Sequence, residues 1–95
     1  MNHLNLDIVS LGETMIELYG TGSLSHSESF NKSYAGDTMN IINMASKLGA
    51  KCGYITKLGD DPFKDYLEKQ WKLNNIDLTC TQIVDGFNAV HFTVL

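Results

Sequence analysis

The order of apolar stretches along the chain constrains the fold more than any other feature of the sequence. An apolar segment with few polar breaks, Leu6 to Leu11, ends at Gly12 and has the pattern of a strand buried on both faces. A helical segment follows, and Cys52 to Leu58 then has the pattern of another strand, closed by Gly59. Because parallel strands need such a crossover, the sequence predicts a βαβ unit and an α/β fold with a parallel sheet.

The helix between these strands has recognisable ends. Asp37 is placed to cap its first turn through the carboxylate, and Gly49 is placed to stop it. Apolar residues recur at the i, i+3, i+4, i+7 spacing of one helical face. The spacing predicts a buried stripe made of Ile41, Met44, Ala45 and Leu48.

A second helix is marked by Asp61 followed by Pro62, the pattern of a capping residue with proline at the first helical position. Asn74 and Asn75 can end it, because Asn tolerates a left-handed backbone. Its predicted apolar face consists of Phe63, Tyr66, Leu67 and Trp71.

Shorter stretches predict further strands. Met15 to Tyr19 follows the first strand, and a loop rich in Ser and Asn then leads to a candidate edge strand around Phe30 to Tyr34. Near the end of the sequence, Thr79 to Ile83 and Ala89 to Leu95 are separated by the turn residues Asp85-Gly86.

The charge balance argues against a nucleic-acid partner. Acidic residues outnumber basic ones by 11 to 7, which gives a net charge of -4, and Lys and Arg form no cluster. No apolar run reaches the roughly 18–20 residues that span a bilayer, and Met1-Asn2-His3 lacks the basic start of a secretory signal. We therefore expect a cytoplasmic protein with neither a nucleic-acid nor a membrane partner.

The cysteines and histidines do not have the spacing of a metal site. Cys52 and Cys80 lie far apart and outside any CxxC or Cys/His pattern, so we predict free, mostly buried thiols. His3, His26 and His91 are equally dispersed. The sequence therefore predicts no metal centre.

The predicted elements do not make a complete α/β domain. A chain of 95 residues has room for one small domain. Two helices cannot cover both faces of a sheet of four or five strands, although open α/β sheets need that cover. We therefore expect this sequence to be the front portion of a larger protein.

Ala35 to Asn40 is the most informative stretch, because a turn of small residues opens directly into a helix. Gly36 permits close approach of a ligand, and the free N–H groups of the first helical turn favour an anion or a polar oxygen. Asn40 lies one turn further and can face the same point. In the alternative interpretation Gly36 only makes a tight turn, Asp37 caps the helix and Asn40 is solvated. The absence of GxGxxG and GxxxxGK[ST] argues against a Rossmann-type dehydrogenase and a Walker phosphate loop.

Three other places have both a structural and a functional interpretation. Glu13 and Glu17 follow the first strand, at the sheet edge where α/β proteins bind ligands. They could accept hydrogen bonds from the hydroxyl groups of a sugar, or they could be solvated surface acids. Gly59 to Phe63 is explained by a strand-ending turn and a helix cap. His91 lies among apolar strand residues, where a lone histidine is more often packed than functional.

Several spaced segments together resemble the amino-terminal third of the ribokinase-like carbohydrate kinases, the PfkB family. The matching segments are Gly12–Leu18, Ala35–Asn40 with Ala45, Leu48 and Gly49, Tyr54–Phe63 and Asn75–Asp77. They are most similar to 2-keto-3-deoxygluconate kinases, and then to fructokinases. The resemblance implies a ribokinase-like α/β fold, a parallel-sheet core with a small β-sheet lid. Residues 1–95 would form the amino-terminal part of that single domain, with lid segments at about 15–34 and 88–95.

The resemblance also implies a function. Kinases of this family move the γ-phosphoryl group of ATP, with Mg²⁺, to a primary hydroxyl of a sugar or sugar acid. The substrate contacts implied in this chain are Glu17, Gly36, Asp37, Asn40 and His91. The lid strands would also supply a homodimer contact. His91 lies near the place where 2-keto-3-deoxygluconate kinases use a Tyr, which leaves the sugar undetermined.

The sequence departs from the family in one decisive respect. The family's catalytic base is an Asp in a Gly-Ala-Gly-Asp turn, and the nucleotide binds in the same later half, but this sequence has no such motif. Smaller departures are Ala35, Lys64 and Asn75, where Gly is usual. We therefore expect no catalytic, cofactor-binding or metal-binding residue in this chain, and no activity from it alone. Two functions remain open: part of the sugar pocket of a longer kinase, or a non-catalytic sugar-binding or interaction fragment.

Overall fold

The computed structural model describes residues 5–94 and confirms the predicted alternation of strands and helices. In chain order the elements are β1 (Ile8–Leu11), β2 (Met15–Gly20), β3 (Asn31–Ala35), α1 (Asp37–Lys47), β4 (Cys52–Gly59), α2 (Pro62–Leu73), β5 (Ile76–Asp77), β6 (Thr81–Val84) and β7 (Val90–Val94). The sequence did not predict β5, because two residues are too few to show a period. The prediction for the last strand included Leu95, which lies outside the described residues.

The larger of two sheets, the main sheet, consists of β1, β4, β5 and β6. β4 pairs in parallel with each of the other three strands. Ile8 is the partner of Cys52, and Leu11 is the partner of Ile55. The chain between β1 and β4 includes α1, so the predicted crossover between parallel strands is confirmed.

The second sheet, the small sheet, has the strand order β3-β2-β7. β2 pairs antiparallel with β3 and parallel with β7. Residue 17 is the register partner of both Ser33 and His91. This sheet is formed by the segments that the resemblance assigns to a lid.

The apolar core joins β4 to the two helices. Its fully buried side chains include Met39, Ile42, Tyr54, Leu58, Leu67 and Trp71. The ring of Tyr54 meets that of Trp71 edge to face, with 5.4 Å between centroids. Each large side chain buried in this way stabilises the fold by about 1.5–3 kcal/mol, so this interior is the main source of stability.

The predicted boundaries of α2 are confirmed. Asp61 is the N-cap, its carboxylate accepts hydrogen bonds from the backbone of Phe63 and Lys64, and Pro62 occupies the first turn. Asn74 is the C-cap, and Asn75 has the predicted left-handed backbone with φ 58°. On the predicted apolar face, Leu67 and Trp71 are fully buried, and Phe63 and Tyr66 pack against the core.

The predicted buried stripe of α1 is wrong in three of its four positions. Ile41, Met44 and Leu48 are between 60% and 80% exposed, and only Ala45 packs against the core. Met39 and Ile42 are the buried side chains. Apolar residues occupy two faces of this helix, and spacing alone does not say which face contacts the sheet.

Two other predictions about burial are also wrong. The first strand is not buried on both faces, because Ile8, Val9 and Leu11 are between 39% and 72% exposed and only Ser10 is half-buried. Cys52 is buried as predicted, whereas Cys80 is exposed, and both are free thiols. Over residues 5–94, neither helix has the length and apolar character needed to cross a membrane.

Candidate functional site

The start of α1 borders an open cleft between the two sheets. Its volume is about 530 Å³. The lining residues come from the end of β1, from β2, from the β3–α1 turn and from β7, namely Gly12, Glu13, Met15, Glu17, Ala35, Gly36, Asp37, Thr38, Asn40 and His91. The structure therefore brings all five predicted site residues to one cavity, although Glu17 and His91 are far in sequence from the segment that holds Gly36, Asp37 and Asn40.

Gly36 is required by the shape of the turn into α1. Its φ of 150° lies in the range that side-chain-bearing residues rarely adopt. A Cβ atom at this position would lie 2.7 Å from the backbone carbonyl oxygen of Glu13. The close approach of these two backbone segments brings the cleft-lining ends of β1 and β3 together.

The N-terminus of α1 is not closed by a side chain. Gly36 is the N-cap residue, and no side chain accepts a hydrogen bond from the first turn. The prediction that Asp37 caps the helix is therefore wrong: Asp37 is exposed in the first turn and lines the cleft. Since the first N–H groups of a helix have no intrahelical acceptor, they are available to a polar oxygen in the cleft.

Asn40 lies one turn into α1 on the cleft side. Its backbone N–H donates to the carbonyl oxygen of Gly36 at 2.8 Å, and its side chain is exposed. An exposed amide offers both donors and an acceptor. Asn40 therefore can bind a hydroxyl group through the same wall that Gly36 and Asp37 form.

Several hydrogen-bonded hydroxyl groups link the start of α1 to β1, β4 and the β1–β2 loop, and they were not predicted from the sequence. The buried phenol of Tyr54 on β4 is hydrogen-bonded to Thr38 Oγ1 at 2.9 Å and accepts from Thr14 Oγ1 at 3.1 Å. Ser10 Oγ donates to the Thr38 carbonyl oxygen at 3.3 Å. A Cβ at Gly12 would overlap the Thr38 side chain. No local pattern identifies these contacts, because they join residues 16 to 40 positions apart.

Glu17 and His91 form the opposite wall. They are register partners on the adjacent strands β2 and β7. Glu17 is partly buried, and His91 is exposed, so the alternative interpretation of His91 as a packed residue is wrong. A carboxylate accepts hydrogen bonds from sugar hydroxyls, and an imidazole can donate or accept.

The segment from Gly59 to Phe63 has the structural role predicted for it. Asp61 caps α2 and is not among the cleft residues. Burial by itself raises the pKa of Asp61, but hydrogen bonds from Asn88, Lys64 and Phe63 outweigh it and lower the pKa below the usual value for aspartate. Asp61 therefore stays ionised as a hydrogen-bond acceptor.

The acidic, His and Cys side chains of the described residues are not clustered. Within residues 5–94, no three side chains of His, Cys, Asp and Glu are grouped so that they could hold one. The acids nearest the cleft, Glu13, Glu17 and Asp37, do not form such a group. The cleft instead offers hydrogen-bonding groups and backbone N–H donors.

The sequence matches a known family along almost its whole length. Residues 5–94 match the pattern of the pfkB family of carbohydrate kinases. A 5-dehydro-2-deoxygluconokinase of Clostridium perfringens is 36% identical over 76 residues, which are 77% of this chain and 22% of that protein. A 2-dehydro-3-deoxygluconokinase of Bacillus subtilis is 28% identical over 78 residues, which are 80% of this chain and 24% of that protein.

Solved structures share the fold. A PfkB protein of Polaromonas superposes with a TM-score of 0.88 at 30% identity, over 95% of this chain and 31% of its own length. The fructokinase of Halothermothrix orenii gives a TM-score of 0.83 at 32% identity, over 94% of this chain and 34% of its own. A sugar kinase of Pyrococcus horikoshii, solved in complex with ATP, superposes with a TM-score of 0.84 at 32% identity. The match covers 93% of this chain and 30% of that kinase.

These matches establish the family and the fold, and each covers only a small part of the relative's own length. The chain spans between about a fifth and a quarter of the curated relatives and about a third of the solved chains. Over that part, its two sheets and two helices are arranged as in ribokinase-like kinases. The chain belongs to the pfkB family of carbohydrate kinases.

Proposed function

We propose that this chain forms one wall of the sugar pocket of a carbohydrate kinase. The longer protein of which this chain would be a part, here called the parent, would transfer the γ-phosphoryl group of ATP. The acceptor would be a hydroxyl of a sugar or sugar acid of the 2-keto-3-deoxygluconate type. The substrate contacts would be Glu17, Gly36, Asp37, Asn40 and His91. In this proposal the small sheet acts as a lid over the sugar.

One observation carries the proposal: polar groups of the small sheet, the β1–β2 loop and an uncapped helix start meet at one open cleft. A sugar has many hydroxyls, and each can donate and accept a hydrogen bond. The cleft offers acceptors on Glu17 and Asp37, mixed groups on Asn40 and His91, and N–H donors at the first turn of α1. This mixture suits a polyhydroxylated molecule better than an apolar one.

The catalytic part of the reaction would come from the rest of the parent. Phosphoryl transfer depends on positioning and on stabilising the charge of the transferred group. A related sugar kinase was solved with ATP, which supports ATP as the family's donor. The Gly-Ala-Gly-Asp turn that carries the family's catalytic base does not occur in this sequence, and residues 5–94 contain no group of three His, Cys, Asp or Glu side chains that could hold a metal ion. We therefore expect the isolated chain to form no sugar phosphate.

A second candidate function is a non-catalytic sugar-binding or interaction fragment. Apolar side chains exposed on the small sheet favour it: Val90 is 39% and Phe92 is 52% exposed, and Phe92 meets Phe30 at a ring distance of 5.5 Å. Exposed apolar patches of this kind often mark interfaces. A homodimer through these lid strands is the contact we expect in either case.

Calorimetric titration of the chain with 2-keto-3-deoxygluconate and with fructose tests the pocket directly. We expect one of the two sugars to bind. The Glu17→Gln variant should bind it at least about tenfold more weakly, because a hydrogen bond to a carboxylate is worth about 1.5–3 kcal/mol. Glu28→Gln is the matched control, since Glu28 is exposed in the β2–β3 loop and does not line the cleft. Failure of both sugars to bind would contradict the proposal.

Complementation separates the two candidate functions. The chain is mixed with the remaining two thirds of a full-length family member, and sugar phosphate is measured with ATP and Mg²⁺ present. Restored product formation would support the kinase, with the chain as its pocket wall. Sugar binding without any restoration would favour the non-catalytic fragment. Product formed by the chain alone would contradict both.

A further inference from the structure

The connection between β6 and β7 joins the two sheets, and within it Asn88 is hydrogen-bonded to the end of β4 and to Asp61. The Asn88 amide Nδ2 donates to the Gly59 carbonyl oxygen at 3.0 Å and to Asp61 Oδ1 at 2.5 Å. Asn88 Oδ1 accepts from the Gly59 N–H at 3.0 Å, and the Asn88 N–H donates to Asp61 Oδ2 at 2.9 Å. We call these four hydrogen bonds the clasp.

The backbone before Asn88 is packed tightly on the end of β4. A Cβ atom at Gly59 would lie 2.6 Å from the carbonyl carbon of Phe87, so only glycine admits this approach. The Asp60 N–H also donates to the Val84 carbonyl oxygen at 2.9 Å. The main-sheet side of the connection is therefore fixed.

The residues after Asn88 belong to the small sheet. The Ala89 carbonyl oxygen accepts from the Ile16 N–H at 2.8 Å, and β7 then runs beside β2 as far as Val94. His91 follows Asn88 by three residues, about 10 Å of extended chain. Asn88 therefore lies where the chain passes from the main sheet into the strand that carries His91.

The small sheet has a second attachment at its other edge. On β3, the Tyr34 hydroxyl accepts from Asn43 Nδ2 of α1 at 3.0 Å and from Asn74 Nδ2 at 3.3 Å. The Tyr66 hydroxyl of α2 donates to the Lys32 carbonyl oxygen at 3.3 Å. The sheet is thus held at β3 by helix side chains, while the clasp holds the end that carries His91.

We propose that Asn88 is a positioning residue that fixes the β7 edge of the small sheet over the cleft and so sets where His91 stands relative to Gly36. The role in sugar binding rests on the proposed function of the cleft, whereas the effect on sheet orientation does not. Without the clasp, the sheet stays attached through β3 and its β7 edge swings. The competing explanation is that Asn88 only stabilises the loop.

Asn88→Ala separates these explanations, with Asn31→Ala as the matched control at an exposed position of β3. Residual dipolar couplings of the full chain measure the orientation of the small sheet relative to α1 and α2. We expect Asn88→Ala to change the couplings of β2 and β7 together while those within α1 and β4 stay mutually consistent. Sugar affinity should fall about tenfold, the effect of losing one well-placed contact, and Asn31→Ala should change neither readout.

Asp61→Asn is a second variant in case Asn88→Ala does not fold. Asn remains a good helix cap, but the swap removes the oxygen that accepts the Asn88 N–H. We expect Asp61→Asn to change the couplings of β2 and β7 and the sugar affinity in the same direction as Asn88→Ala, but by less. Lower stability of either variant with unchanged sheet orientation would overturn the proposal. If the wild-type chain binds neither sugar, a changed orientation would still support the positioning role, and only the proposed function would fail.

Discussion

The two helices begin next to strand ends, yet their first turns are finished in different ways. At α2, the Asp61 carboxylate accepts from Phe63 and Lys64 and also from Asn88, so its own neighbours close the helix start. At α1, Gly36 stands at the cap position, no side chain closes the turn, and the cleft lies beside it. The capped start of α2 has its N–H groups bound within the protein. The uncapped start of α1 has free N–H donors that can bind a ligand in the cleft.

Among the variants considered, replacement of Gly36 at the start of α1 should have the largest effect on stability and on sugar binding. Gly36→Ala introduces both an unfavourable φ and a contact of 2.7 Å with the Glu13 carbonyl oxygen, so we expect a loss of about 3 kcal/mol in unfolding free energy, together with loss of sugar binding. Urea unfolding measures the first effect and calorimetry the second. Gly22→Ala is the control, since Gly22 has φ 78° but no atom within 4 Å of its Cβ position. Equal losses in the two variants would show that the contact with Glu13 is unimportant.

The aspartates at the starts of the two helices, Asp61 and Asp37, should contribute very differently to stability. Asp61→Ala removes the acceptor of four N–H donors and should cost about 2 kcal/mol of unfolding free energy. Asp37→Ala removes only an exposed charge near a helix start, which is worth about 0.5 kcal/mol or less. Urea unfolding of both variants checks the difference. A large cost at Asp37 would mean that this residue caps α1 after all.

The hydroxyl group behind α1 should have a moderate effect. Tyr54→Phe keeps the ring against Trp71 but removes the partner of Thr14 and Thr38, so we expect a loss of about 1 kcal/mol. Hydrogen exchange should then show faster opening of the first turn of α1 and no change at α2. Tyr19→Phe is a suitable control on the small sheet. Faster exchange at α2 as well would indicate a general loss of packing.

Acidic pH should destabilise the start of α2, which the Asp61 carboxylate caps. It should have little effect on the start of α1, which no side chain caps. The pKa of Asp61 is lower in the folded chain than the ordinary value near 4, so the stability it confers is complete above that ordinary value. The contribution is lost as pH falls through the lowered folded pKa, because protonation removes the acceptor. Unfolding curves between pH 6 and about pH 2 should therefore fall less for Asp61→Asn than for the wild-type chain. Parallel curves would contradict this role of Asp61.

Local signals explain why one helix was predicted better than the other. Asp61 and Pro62 mark the start of α2, and Asn75 its end, and each acts on the backbone nearest to it. In α1, by contrast, Ile41 and Met44 have the right period but lie on the wrong face. Which stripe is buried depends on where the main sheet lies, and that is not encoded within the helix.

The candidate site residues were named from the family resemblance, and only some of them carry a local signal: Gly36, Asp37 and Asn40 lie at the start of α1, whereas Glu17 and His91 lie within β2 and β7. Their convergence could not be predicted from spacing alone, since it depends on the pairing of Glu17 with His91 across β2 and β7. Asn88 and Tyr54 were missed for the same reason. Their partners Gly59, Asp61, Thr14 and Thr38 are brought to them only by the folded sheets.

The aromatic cluster of the core gives the molecule a built-in optical reporter. Trp71 is the single tryptophan, it is fully buried, and it touches Tyr54 of the main sheet and Tyr34 of the small sheet. Its indole N–H has no hydrogen-bond acceptor within the described residues. Intrinsic fluorescence therefore senses the seam between the sheets, and its emission should shift whenever ligand or mutation moves one of them against α2.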